Sequence, residues 1–162
     1  MKTKKALSSL SFSLIAVAIF TVLLCGCKAQ RVDTQGIVGQ VYWIDGNQMP
    51  TITDGSNETP AKPERKKVKR TIRIYERTHI NQATMGDYLF KDIETPMIAE
   101  IETEEDGSFA IGLAPGAYSI FTVEENGYFA NVYDLDSYIQ PVEVKADEWN
   151  NIQILINYQA AY

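Results

Sequence analysis

The chain of 162 residues contains one histidine, His79, and two cysteines, Cys25 and Cys27, close together near its start. Each scarcity excludes chemistry. A single histidine does not complete a nitrogen-rich zinc site, and beyond residue 27 no thiol remains for a disulfide framework, a C-x-x-C redox pair or a cysteine nucleophile. Cations are also outnumbered, 15 Lys and Arg against 21 Asp and Glu for a net charge of -6. That balance argues against nucleic acid as a partner, because phosphate binding rests on an excess of Lys and Arg. Apolar runs are scarce apart from one, and no segment carries a convincing amphipathic helical period.

The one long apolar run, residues 6–24, follows MKTKK and ends at Leu24-Cys25-Gly26-Cys27. A basic start, a short apolar stretch and small residues before a cysteine are the layout of an export signal, with a retained membrane helix as the competing reading. The end of the run resembles the bacterial lipobox, with an aliphatic residue three positions before the lipidated cysteine and a small one just before it. Gly26 precedes Cys27, whereas bulky Leu24 precedes Cys25. The resemblance implies that residues 1–26 are a lipoprotein signal peptide, that Cys27 is lipidated, and that Cys25 leaves with the signal. Several acyl chains supply the second hydrophobic signal that stable anchoring requires. Residues 27–34 then form a tether. Without Lys2, Lys4 and Lys5 the remaining 136 residues carry 12 cations against 21 acids, in one domain large enough for a core without staples.

That domain reads as strands. GIVGQVYWID alternates Ile37, Val41 and Trp43 with Gln40 and Tyr42, and TIRIYERT places Ile72 and Ile74 inward with Arg73, Tyr75 and Arg77 outward. Between them residues 46–70 read as a long polar insertion loop. Met97, Ala99 and Ile101 alternate with glutamates, and after Asp106-Gly107 the alternation resumes at Phe109, Ile111 and Leu113, which predicts a hairpin. Pro115-Gly116 and Asn126-Gly127 mark further turns, and IQPVEVKAD and NNIQILINY predict two last strands. Strands at intervals of about ten residues argue for an antiparallel β-sandwich.

Gly36-x-x-Gly39-x-Val41, Asp106-Gly107-x-Phe109, Leu113-x-Pro115-Gly116-x-Tyr118-Ser119 and Gly127-Tyr128-Phe129 together resemble the carboxypeptidase regulatory-like domains. The match spans nearly all of residues 36–158, and the layout is similar to that of small lipoproteins of the Bacteroidetes. The resemblance implies a prealbumin-like Greek-key sandwich of about seven strands in residues 35–162. It says little about function, since such folds host unrelated roles. The residues that carry it are architectural; Tyr118, for instance, is expected to bury its ring and give its hydroxyl to a backbone partner. Lys28-Ala29-Gln30-Arg31 lacks the acidic signal resembling that of surface lipoproteins, so the expected place is the outer membrane, on the periplasmic side rather than the cell surface.

The inventory favours a non-enzymatic binding or scaffolding module of the cell envelope, with a protein or glycan partner and no cofactor or metal. His79 reads as an exposed loop histidine, and a hydrolase built on it is the weakest reading. The acids at 104–106 and at Asp134 and Asp136 lack EF-hand spacing and read as solvated turn acids. Two candidate surfaces remain. Lys62, Arg65, Lys66, Lys67, Lys69, Arg73 and Arg77 form a basic block, with Arg70 among them, able to meet an anionic partner if the loop folds over the following strand and pools its charge. Tyr42 and Tyr75, in a set with Tyr88, Phe129 and Tyr133, are candidates to stack on sugar rings, against the plainer role of filling strand edges.

Overall fold

The computed structural model describes residues 34–48 and 65–161. The proposed signal peptide, Cys27, nearly all of the tether, and residues 49–64 with Lys62 lie outside the described residues. Among the described residues thirteen strands run β1 (Gly36–Trp43), β2 (Gly46–Asn47), β3 (Lys66–Lys67), β4 (Thr71–Glu76), β5 (Ala83–Met85), β6 (Phe90–Ile93), β7 (Met97–Glu102), β8 (Ser108–Gly112), β9 (Gly116–Glu124), β10 (Gly127–Phe129), β11 (Pro141–Val144), β12 (Trp149–Ile156) and β13 (Ala160–Ala161). The fold is all-β, as the period-2 alternation predicts.

Seven strands form an antiparallel sheet in the order β5-β6-β10-β9-β4-β7, with β11 beside the first half of β9. A four-stranded sheet places β12 on one edge of β1 and both β8 and β3 on the other. The expected antiparallel pairing holds in the larger sheet, while β1 and β12 run parallel over eight residue pairs, Gly36↔Trp149 to Trp43↔Ile156. The two sheets bury a mostly aliphatic core in which Ile37, Val41, Phe109, Ile154 and Ile156 face Ile72, Ile74, Ile120, Phe129 and Val144. Gly39 serves that core by having no side chain. A Cβ there would lie 2.7 Å from the Phe109 ring and 2.6 Å from the Ile152 carbonyl.

Two expectations need correction. Residues 97–113 form no hairpin: β7 pairs with β4 and β8 pairs with β1, so the chain arches from one sheet to the other. Both stretches have an apolar face, and the arch buries the two faces toward each other, which a hairpin in one sheet would not. The Asp106-Gly107 turn directs the crossing. Gly107 has φ 77° and gives its carbonyl to the Val41 N–H at 3.0 Å, and a Cβ there would meet the Val68 and Val41 carbonyls at 2.6 and 2.7 Å. The loop 46–70 is also shorter at its ends than its composition predicts, because Gly46–Asn47 pairs with Ala160–Ala161 and Lys66–Lys67 with Tyr42–Trp43. Tyr118 behaves as expected, its ring buried and its hydroxyl donating to the Ala114 carbonyl at 2.8 Å. Gly116 is not among the glycines with positive φ, so its turn does not draw on that freedom.

Candidate functional site

The outer face of the larger sheet is not bare. Tyr75, Phe90, Phe121, Ala130 and Ile139 form a second buried cluster there, with Phe121 in edge-to-face contact with Tyr75 and with Phe90 at centroid distances of 5.6 Å each. Alternation explains the set, since Phe121 and Tyr75 follow Ile120 and Ile74, which face the main core. The cover is made by residues 77–82 and 130–140. Ser119, buried on β9, holds both: its hydroxyl donates to the Ile139 carbonyl at 2.5 Å and accepts from the Thr78 N–H at 2.9 Å.

Residues 131–140 build a compact knuckle on that cover. The Gln140 N–H donates to the Val132 carbonyl at 2.7 Å, Ser137 to Asp134 at 3.1 Å, and Ile80 to Ser137 at 3.0 Å, tying the two segments together. One Asp134 oxygen accepts the N–H groups of Asp136 and Tyr138 at 3.0 and 2.9 Å, and the other accepts from Arg77 at 2.7 Å. The Arg77 guanidinium in turn lies 3.7 Å from the Tyr138 ring centroid. The Arg77 hydrogen bond, aided by the Tyr138 N–H, holds the Asp134 carboxyl below its ordinary range. Ser137 and Gln140 adopt φ of 64° and 40°, conformations that non-glycine residues seldom hold unless their surroundings enforce them. This restrained backbone leaves Ile80, Val132 and Tyr133 exposed and Leu135 wholly in solvent. Acidic turn composition at Asp134-Leu135-Asp136 hides the feature; the signal that marks it is a leucine between two aspartates with nothing apolar beside it to pack on.

The sequence-predicted residues fall elsewhere. Tyr75 is 6% exposed and offers no face to a sugar; its outward direction is as expected, but the outer face is covered at that point, and burial raises its hydroxyl pKa. Phe129 is buried in the main core. Tyr42 is half-buried on β1, across from Lys67. His79 is not a free loop histidine. It is half-buried, its Nδ1 accepts the Asn81 N–H at 3.2 Å to cap the short 3-10 turn Ile80–Gln82, and its ring meets that of Tyr138 edge-on at 5.3 Å.

The basic block does not pool its charge over β4. Lys66 faces Asp45 at 3.7 Å, Lys67 faces Asp106 at 3.6 Å, Lys69 faces Glu102 and Glu105 at 3.4 and 2.9 Å, and Arg70 faces Glu124 at 3.2 Å. Arg73 meets Glu100 at 2.6 Å and the Tyr128 hydroxyl. Arg65 is exposed and has no ion pair among the described residues. Acids from β7, β9 and the arch, with Asp45 after β1 and Asp134 of the knuckle, thus answer the cations of residues 66–77. Among the described residues no group of three or more His, Cys, Asp and Glu is arranged to hold a metal. No family model, curated protein or solved structure matches the chain.

Proposed function

We propose that this protein is a lipid-anchored binding module of the cell envelope, not an enzyme, and that it docks a partner protein through the knuckle at residues 131–140. One observation carries the reading: a backbone held by an ion pair, a cation-π contact and two strained residues presents a fully exposed leucine with Val132, Tyr133 and Ile80 on the same tied segments. Side chains on a rigid support lose little ordering entropy when they dock, and Tyr133 is of the residue type that protein interfaces favour. The export layout of residues 1–26 and the lipobox-like Leu24-Cys25-Gly26-Cys27 support the envelope setting. The resemblance to carboxypeptidase regulatory-like domains fits a non-catalytic sandwich, and the outer membrane facing the periplasm is the proposed place.

A photo-crosslinking residue at position 135 of the full chain, expressed in its native cells, should give one adduct of discrete mass, absent when the same residue stands at exposed Lys145. No adduct at 135, or the same adducts at both positions, would sink the docking reading. Cys27→Ser should move the protein out of the membrane fraction or leave uncleaved precursor, whereas Cys25→Ser should change neither. The proposal for an anionic partner at Arg65, Lys66, Lys67 and Lys69 is less favoured, since most of these charges already have acidic neighbours.

A further inference from the structure

A second surface has the composition of a small-ligand site. The β5-β6 connection is a four-residue turn closed by the Gly86 N–H donating to the Leu89 carbonyl at 2.8 Å, which puts Asp87 and Tyr88 at its tip. The β9-β10 turn lies beside it, because Tyr128 of β10 pairs with Phe90 of β6. Lys91 joins the turns by donating to the Asn126 carbonyl at 2.7 Å. Between them runs a shallow groove of about 380 Å³ lined by Asp87, Tyr88, Leu89, Lys91, Asn126 and Tyr158, within the size range of ligand pockets.

Its parts are unequal in a telling way. Tyr158, at one side, is engaged: its hydroxyl is 3.2 Å from Glu124 and its ring packs on Trp43 and Phe129. Tyr88 is 67% exposed, and neither its hydroxyl, the Asp87 carboxylate nor the Asn126 side-chain amide has a partner among the described residues. An exposed ring beside a free carboxylate, a free amide and an ammonium offers one apolar face with acceptors and donors around it. A pyranose matches that set: its C–H face lies on an aromatic ring while vicinal hydroxyls both donate to a carboxylate and accept from an amide or ammonium. Asp87 offsets the charge of Lys91 in the same groove, which therefore carries no net positive charge to select uronic or sulfated sugars.

We propose that this groove binds a neutral saccharide, with Tyr88 as the stacking platform and Asp87 and Asn126 as hydroxyl-reading groups. The site is separate from the knuckle, and its test is independent of docking there. The full-length chain, purified in detergent, is titrated with maltohexaose, cellohexaose, mannohexaose and N-acetylchitohexaose by saturation-transfer NMR and calorimetry. Wild type should bind at least one of the four. Tyr88→Ala should weaken that binding by about tenfold or more, as should Asp87→Asn combined with Asn126→Ala, while Leu135→Asp and Tyr133→Ala leave it unchanged. All these side chains are exposed or lie in turns, and an unaltered near-ultraviolet circular dichroism spectrum confirms the fold of each variant. Failure of the folded wild type to bind any of the four sugars, or binding that survives Tyr88→Ala, overturns the proposal.

Discussion

The two faces of the seven-stranded sheet are packed by different means. The inner face meets a second sheet and is filled mainly by aliphatic side chains, Ile72, Ile74, Ile120 and Val144 among them. The outer face, among the described residues, meets its own connections and is filled by Tyr75, Phe90 and Phe121, then overlaid by an ion pair and a cation-π contact. A sheet facing another sheet can bury small branched side chains in continuous layers, because strands supply both walls. A face covered by irregular loops needs large rings to reach across the gap, and buried hydroxyls to satisfy the loop backbone. Ser119 and Thr78 supply these, with Thr78 2.6 Å from the Thr95 hydroxyl in a buried pair. Stability therefore resides in the inner face, and the exposed apolar groups of the knuckle sit over the outer one.

That difference is open to direct attack. Phe109→Ala should cost about 3 to 5 kcal/mol in global unfolding, since the ring is 5% exposed and lies against Gly39. Phe121→Ala should cost less, about 3 kcal/mol, because the outer cluster is smaller and its loop cover can settle. The contrast is sharper in hydrogen exchange. Phe121→Ala should deprotect the amides of Thr78 and Ile139 before those of β1, whereas Phe109→Ala should deprotect all of them together. Uniform loss in both variants would mean that the two faces act as one unit. Tyr118→Phe, which removes one part-buried hydroxyl bond to Ala114, should cost about 1 kcal/mol. Replacing Lys66, Lys67 and Lys69 together by Gln should leave the melting temperature nearly unmoved, because exposed ion pairs contribute little, and should leave capture of anionic vesicles at low salt unchanged. Capture lost in the triple variant would restore the anionic-partner reading.

Period-2 alternation was enough to reveal the inner face. Ile37, Val41, Ile72, Ile74 and Phe109 are all inward by that rule and all buried. It could not tell which strands pair, because alternation fixes a side chain's face and not its neighbour, so the β7-β8 arch looked like a hairpin. The same limit hid the outer cluster. Tyr75 alternates outward in the sequence whether that face is wet or covered, and much of what covers it, residues 130–140, lies more than fifty positions away. The basic block misled for a similar reason: a run of cations along the chain says nothing about carboxylates that the fold brings beside them. Tyr88 was visible as an aromatic but not as the most exposed of its set, since its exposure follows from the four-residue turn that carries it.

The smallest expected effect concerns the knuckle's own charge. Arg77, by hydrogen bonding to Asp134, holds that carboxyl below its ordinary range, and the ordinary aspartate value is about 3.9. A folded-state pKa depressed in this way means that the carboxylate's contribution is fully present above the unfolded value. It is lost as pH falls through the folded one, so the knuckle is insensitive to pH at neutrality and loosens only in acid. Asp106 provides an internal control, because its carboxyl is also held low, chiefly by the Ser108 hydroxyl and not by an arginine. Titrated by NMR, both carboxyls should turn over below about 3.9. Arg77→Gln should raise the Asp134 midpoint toward the ordinary value and leave Asp106 where it was, while Ser108→Ala should do the reverse. The tyrosine ring of Tyr138, which lies under the Arg77 guanidinium, should report the same transition as Asp134. An Asp134 midpoint that ignores Arg77→Gln would mean that the backbone N–H groups of Asp136 and Tyr138 hold the knuckle alone, and that the outer face needs no ion pair to keep Leu135 presented.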